Sequence, residues 1–154
     1  MKFTQRLAIG YVQTKFKLLS VISKRKAAEK AFVVFGTPFM KSIPKGPVKN
    51  AETIHFQLNN KKLNGYRWNH PQTKKALILH GFGSAAHKFE DYAVLLLAKG
   101  FEVLAFDAPA HGKSEGDTTN AIEYSEMIKE VMEKFGPIEN FIAHSFGGIS
   151  LSLA

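Results

Sequence analysis

Apolar positions change rhythm along this chain, and each rhythm predicts a different element. Phe3, Leu7 and Tyr11 recur every four residues, and Ala28, Ala31, Phe32 and Phe35 fall at i, i+3, i+4 and i+7. Both spacings predict helix over residues 1–37. Gly36, Pro38, Pro44, Gly46 and Pro47 then interrupt any period, so residues 36–50 read as a connector. Thr53-Ile54-His55-Phe56-Gln57-Leu58 alternates polar with apolar, the pattern of a half-buried strand. Asn59-Asn60-Lys61-Lys62 is a turn, and Leu63 to Asn69, with Tyr66 and Trp68, suits the returning strand of a hairpin.

From residue 76 the alternation gives way to unbroken apolar runs. Ala76-Leu77-Ile78-Leu79, Phe101 to Phe106 and Ile138 to Ala143 predict strands covered on both faces, as in a parallel sheet. Between them lie two helical stripes. One is Phe89, Tyr92, Ala93, Leu96 and Leu97, ended by Gly100; the other is Ile122, Ile128, Val131, Met132 and Phe135, stopped by Gly136-Pro137. Another helix begins at Phe146. Strands alternating with helices predict an α/β fold, a mostly parallel sheet with flanking helices joined by right-handed crossovers. The expected organisation is a helical N-terminal segment and Pro/Gly connector over 1–50, followed by a sheet domain over 51–154. Neither an internal repeat nor a low-complexity tract is visible.

Composition narrows this picture at three points. A length of 154 residues accommodates one domain with a real core. The chain has no cysteine, which excludes disulfides, thiolate metal sites and cysteine nucleophiles, and which fits a reducing compartment. Charge is distributed unevenly. Residues 1–50 hold 11 Lys or Arg against one acid, Glu29, a net +10, while residues 51–154 hold 10 basic and 12 acidic residues, a net −2. The basic segment could touch an anionic lipid surface or nucleic acid; the plainer reading, preferred here, is the solvated face of a packed helix. At most a weak membrane-surface contact is expected, with no nucleic acid and no obligate protein partner. No apolar run approaches the length of a membrane span. Lys2 and Arg6 before Leu7-Ala8-Ile9 resemble a signal peptide, but Gln13, Thr14, Lys15 and Lys17 cut the run short and no cleavage site follows, so a cytoplasmic protein is expected.

The candidate chemistry sits at three predicted strand ends. Ser145 lies in Ala143-His144-Ser145-Phe146-Gly147-Gly148, between a strand and a helix start. A serine hydroxyl attacks only when a base removes its proton, and it must project toward its substrate. A sharp strand-to-helix turn strains the serine backbone and lifts its oxygen above the sheet edge, provided that its neighbours two before and two after are small. Here these are Ala143 and Gly147. The usual pattern, Gly-x-Ser-x-Gly, has glycine where this chain has Ala143.

His80-Gly81-Phe82-Gly83-Ser84 follows the first buried strand. Acyl transfer needs two N–H donors converging on an oxyanion, and the Phe82 and Phe146 amides are the candidates. His80 reads as a brace for this loop rather than a catalytic base. Asp107-Ala108-Pro109-Ala110-His111-Gly112-Lys113-Ser114, after the second buried strand, reads as a fixed turn that satisfies backbone groups and shapes the site wall.

Together these three stretches resemble the α/β-hydrolase fold family, in its order and at its spacing, over about residues 51–154. The resemblance implies a sheet that opens with an antiparallel hairpin and continues in parallel strands, with Ser145 after the fifth. It implies a serine hydrolase of an ester, thioester or related acyl substrate, using Ser145 as nucleophile and the Phe82 and Phe146 N–H groups as oxyanion hole, with no metal or cofactor. It further implies a catalytic acid and histidine after later strands, which these 154 residues do not contain. The expectation is therefore the N-terminal half of a hydrolase domain, inactive and marginally stable or oligomeric as it stands.

Two rival motifs are present. Gly81-x-Gly83-x-x-Ala86 with Asp107 matches a dinucleotide fingerprint, but a hairpin precedes it and Ser145 is left unexplained. Gly112-Lys113-Ser114 imitates the tail of a phosphate loop whose first glycine would fall at Asp107, where a carboxylate repels phosphate.

Overall fold

Ser23 divides the predicted N-terminal helical stretch into α1 (Phe3–Ile22) and α2 (Lys24–Gly36). Its backbone is extended and its hydroxyl accepts the Lys26 N–H, which caps α2. The structure, a computed structural model, describes residues 3–154, with side chains from Ile9 onward. Lys2 and the side chains of Phe3, Arg6 and Leu7 therefore lie outside the described residues.

Met1–Thr37 form one compact unit and Pro38–Ala154 a second. In the first, Ala27 is the one buried residue among those described, and Ala31 is half-buried. Phe32 and Phe35 are 65% and 82% exposed. The helical spacing of Ala28, Ala31, Phe32 and Phe35 thus gives helix but not a buried stripe. Alanines 27, 28 and 31 line a recess with Gln13, Phe16, Lys17 and Ser20 of α1, where small side chains let the helices approach and the larger rings point outward. Among the described residues no helix is long and apolar enough to cross a membrane.

The second unit is built on a five-stranded sheet in the order β1-β2-β4-β3-β5. The strands are β1 (Glu52–Leu58), β2 (Lys61–Trp68), β3 (Lys75–Leu79), β4 (Glu102–Phe106) and β5 (Asn140–Ala143). β1 and β2 form the expected antiparallel hairpin, turned through Asn59 and Asn60 at φ 49° and 61°. β2 also pairs antiparallel with β4, while β3 runs parallel to β4 and β5. A 3₁₀ turn (Ala86–Phe89) leads into α3 (Glu90–Leu97); α4 (Ala121–Phe135) and α5 (Phe146–Ser152) follow.

The unbroken apolar runs of β3 and β4 are explained by cover on both sides. Leu77, Leu79, Leu104 and Phe106 pack with Tyr124, Met127, Ile128 and Val131 of α4. Ile78, Val103 and Ala105 point the other way, to Ala93 and Leu96 of α3. β5 differs. Among the described residues it pairs only with β3, and its four residues are exposed or half-buried, so within this chain the third predicted buried strand is shorter and has one neighbour.

The chain leaves β3 through α3 to reach β4 on one side, then crosses through α4 to β5 on the other. Strand order therefore reverses at β3, and the loops leaving the C-terminal ends of β3 and β5 diverge. Open α/β sheets form their ligand crevice at such a point. Ser145 and the 80–84 loop both lie there.

Candidate active site

Ser145 stands between the end of β5 and the first residue of α5, with φ 50° and ψ −114°. A non-glycine residue at positive φ costs about 1–3 kcal/mol and persists only where its surroundings hold it. Here they do. The His144 N–H donates to Leu79 O at 2.9 Å, the Gly147 N–H to His144 O at 3.0 Å, and the Ile149 N–H to Ser145 O at 3.1 Å. Gly147 is required, because a Cβ there would stand 2.8 Å from the carbonyl oxygens of both Leu79 and His80. Ala143 is accommodated without crowding: even a Cβ at Gly148 would stand 4.0 Å from the Ala143 methyl, an ordinary contact. Ser145 itself is exposed. Among the described residues no imidazole or carboxylate is hydrogen-bonded to its hydroxyl.

The loop after β3 lies against this turn. A Cβ on Gly81 would sit 3.3 Å from Ser145 Cβ and 2.7 Å from His144 Nδ1, so the bare Gly81 backbone abuts the serine. His144 turns toward this loop and packs near Phe89, ring centroids 6.1 Å apart. The Phe82 and Phe146 rings meet edge-on at 5.5 Å. Among the described hydrogen bonds, neither the Phe82 nor the Phe146 N–H donates to a protein acceptor. Their neighbours do: Gly83 N–H donates to His111 Nε2 at 2.9 Å and Ser84 N–H to Gly81 O at 3.1 Å.

The Asp107 turn lies beside this loop and is buried except at Lys113. Asp107 is 0% exposed. Its Oδ1 accepts the Ala86 N–H at 2.8 Å, and its Oδ2 accepts the Lys113 N–H and the Asn64 Nδ2–H, each at 3.0 Å. Ser114 Oγ donates to the Asp107 carbonyl at 2.6 Å and accepts the Asn64 N–H at 3.0 Å. Gly112, at φ 50°, presses on the carboxylate where any side chain would collide with it. Burial pushes the Asp107 carboxyl above the usual carboxylate range, and its N–H donors pull it back.

Two imidazoles tie the turns together. His80 Nδ1 faces Gly81 O at 2.8 Å and its Nε2 accepts the Ala108 N–H at 2.9 Å. His111 Nδ1 faces Pro109 O at 3.0 Å and its Nε2 accepts the Gly83 N–H. A carbonyl only accepts and an amide N–H only donates, so both rings carry their proton on Nδ1 and are neutral. Burial lowers both, His80 to about 4. Each ring nitrogen is committed, so His80 is the brace that the sequence suggests. Asn64 and Tyr124, whose hydroxyl donates to His80 O at 3.3 Å, complete the support and were not foreseen. The one local signal for Asn64 is a polar residue in the apolar half of β2.

The dinucleotide reading fails on this geometry. The Asp107 carboxylate occupies the N–H of Ala86, at the start of a short 3₁₀ turn, where a pyrophosphate would need free donors. Being fully buried, Asp107 cannot reach a ribose either. Of the remaining histidines, His55 is exposed on β1, His87 lies in the 3₁₀ turn and His70 pairs with Glu102 at 3.1 Å.

Comparison with known proteins places the chain in a family. A family model described as alpha/beta hydrolase fold matches residues 77–153, half of the chain. A chloroplastic Arabidopsis thaliana protein with the provisional name methylesterase 13 is 28% identical over 141 residues, 88% of this chain. Human monoglyceride lipase is 28% identical over 91 residues, 53% of this chain. The chain spans 30% of the length of each of these two relatives. Among solved structures, the Pyrococcus furiosus esterase Pf2001 superposes with a TM-score of 0.59 and 25% identity, covering 72% of this chain and 49% of that one.

Proposed function

The chain belongs to the α/β-hydrolase fold family, and from that premise we propose that it carries the nucleophile half of an esterase-like site. Ser145 Oγ attacks the carbonyl carbon of an ester, thioester or related acyl substrate. The hydroxyl proton passes to a base, the carbonyl oxygen becomes an oxyanion, and the alkoxide or thiolate departs as the acyl-serine forms. The Phe82 and Phe146 N–H groups receive the oxyanion. The observation that carries this reading is Ser145 itself, exposed and held at positive φ between β5 and α5. The bare Gly81 backbone beside it and the two amides without protein acceptors support it.

The base is assigned outside residues 3–154. His80 and His111, the imidazoles buried beside the turn, each have both ring nitrogens engaged. A histidine with a carboxylate behind it, as the resemblance implies, is therefore contributed from elsewhere.

A thiol at the same position tests the proposal without that histidine, because a thiol ionises appreciably on its own. The chain has no cysteine, so a Ser145→Cys variant carries a single reporter. Its acylation by p-nitrophenyl acetate should run about a hundredfold faster than that of a Ser152→Cys variant, exposed on the same helix, since one oxyanion donor is worth about that much. Equal rates would assign the chemistry elsewhere. The unmodified 154 residues should show no ester turnover above their Ser145→Ala variant; turnover that depends on Ser145 would place a base within them.

A further inference from the structure

We propose that the α1–α2 unit is a docking surface for an anionic phospholipid bilayer. Two apolar strips on it are open to solvent. Leu18, Val21 and Ile22 lie at i, i+3 and i+4 on α1, and Ala28, Phe32 and Phe35 lie at i, i+4 and i+7 on α2. Val21, Ile22 and Phe35 are each more than four-fifths exposed. Scattered exposed apolar residues are ordinary, but helical strips that include two phenylalanines are not.

Charge selects the occupant. Lys15, Lys17, Lys24, Arg25, Lys26 and Lys30 are all exposed on the same two helices. The one acid there, Glu29, is engaged by Arg25 at 2.9 Å. A second copy of this surface would bring like charge against like charge. Nucleic acid would meet the cations but leave the apolar strips against phosphate. An anionic bilayer takes both: its headgroups attract the cations and its acyl boundary receives the apolar side chains. No described helix can cross the bilayer, so the unit lies on the surface.

The test uses the whole chain in cosedimentation with vesicles of phosphatidylcholine, with and without phosphatidylglycerol. Binding should require phosphatidylglycerol and weaken as salt is raised. Replacing Lys24, Arg25 and Lys26 together by Gln should lower the partition coefficient about a hundredfold at low salt. Phe32→Ser with Phe35→Ser should lower it about tenfold, and because both rings are exposed the fold should survive the change. Equal binding to neutral vesicles would overturn the proposal, as would indifference to either set of substitutions. So would capture of duplex DNA with no vesicle binding, or a phenylalanine variant that converts an oligomeric parent to monomer, since a second copy would then be the occupant. None of these readouts involves Ser145, so they stand apart from the hydrolase reading.

Discussion

Two turns at the same edge of the sheet treat their polar groups in opposite ways. The Asp107 turn, after β4, is enclosed, and each carboxylate oxygen has an N–H donor. The Ser145 turn, after β5, is exposed, and among the described residues its hydroxyl has no imidazole or carboxylate partner and the Phe146 amide beside it has no protein acceptor. Both hold a non-glycine residue at positive φ, Ala110 at 65° and Ser145 at 50°. Strain alone therefore does not set the Ser145 turn apart. What separates them is satisfaction: buried polar groups must be paired for the fold to stand, so groups left unpaired at an open crevice are those available to a substrate.

Removing the Asp107 carboxylate is the most severe way to break this contrast. Asp107→Ala strands the Ala86, Lys113 and Asn64 N–H groups in a buried site and should cost roughly 3–5 kcal/mol in urea unfolding. Ser145→Ala, which removes an exposed and unpaired hydroxyl, should stay within about 0.5 kcal/mol. Comparable losses from the two would erase the distinction.

Acid attacks the supporting turn next. His80 has an ordinary value of 6.5 and is lowered to about 4 by burial. Between those values the unfolded chain binds a proton that the folded chain refuses. Stability is therefore greatest above about pH 6.5 and falls as the pH drops toward 4, by about 3 kcal/mol in total from this group. His111, lowered in the same way, adds to the loss. Melting temperatures that are flat from pH 7 to 4.5 would mean that the imidazoles are not held neutral.

Packing at the Ser145 turn gives a smaller effect. Gly147→Ala puts a methyl 2.8 Å from the Leu79 and His80 carbonyl oxygens and should cost about 2 kcal/mol. Smallest and opposite in sign, Ser145→Gly should stabilise by about 1 kcal/mol, because glycine accepts positive φ without strain. Destabilisation would show that Ser145 is held by contacts rather than strained against its own preference.

The sheet was legible because β3 and β4 are covered on both faces, so their runs of apolar residues leave little choice. β5 was less so: its run from Ile138 is apolar, yet it has one neighbour and stays half-exposed. In the α1–α2 unit the helices were legible and their packing was not. Periodicity finds a helix but cannot say which of Ala27 and Phe32 turns inward, since that depends on how closely the helices approach. The Ser145 turn could be read locally, because its strain and its small neighbours lie within six residues. The support could not. His111 reaches Gly83 across 28 positions and Asn64 reaches Asp107 across 43, pairings that exist only once the sheet order is set.

Under the proposed function, the Phe82 and Phe146 N–H groups face the acyl carbonyl bonded at position 145. Acylating the Ser145→Cys variant and recording the infrared stretch of its thioester carbonyl reads those hydrogen bonds directly. An oxyanion hole at this position gives a stretch at clearly lower frequency in the folded chain than in the same acylated chain unfolded in urea. An identical frequency in both states would contradict it.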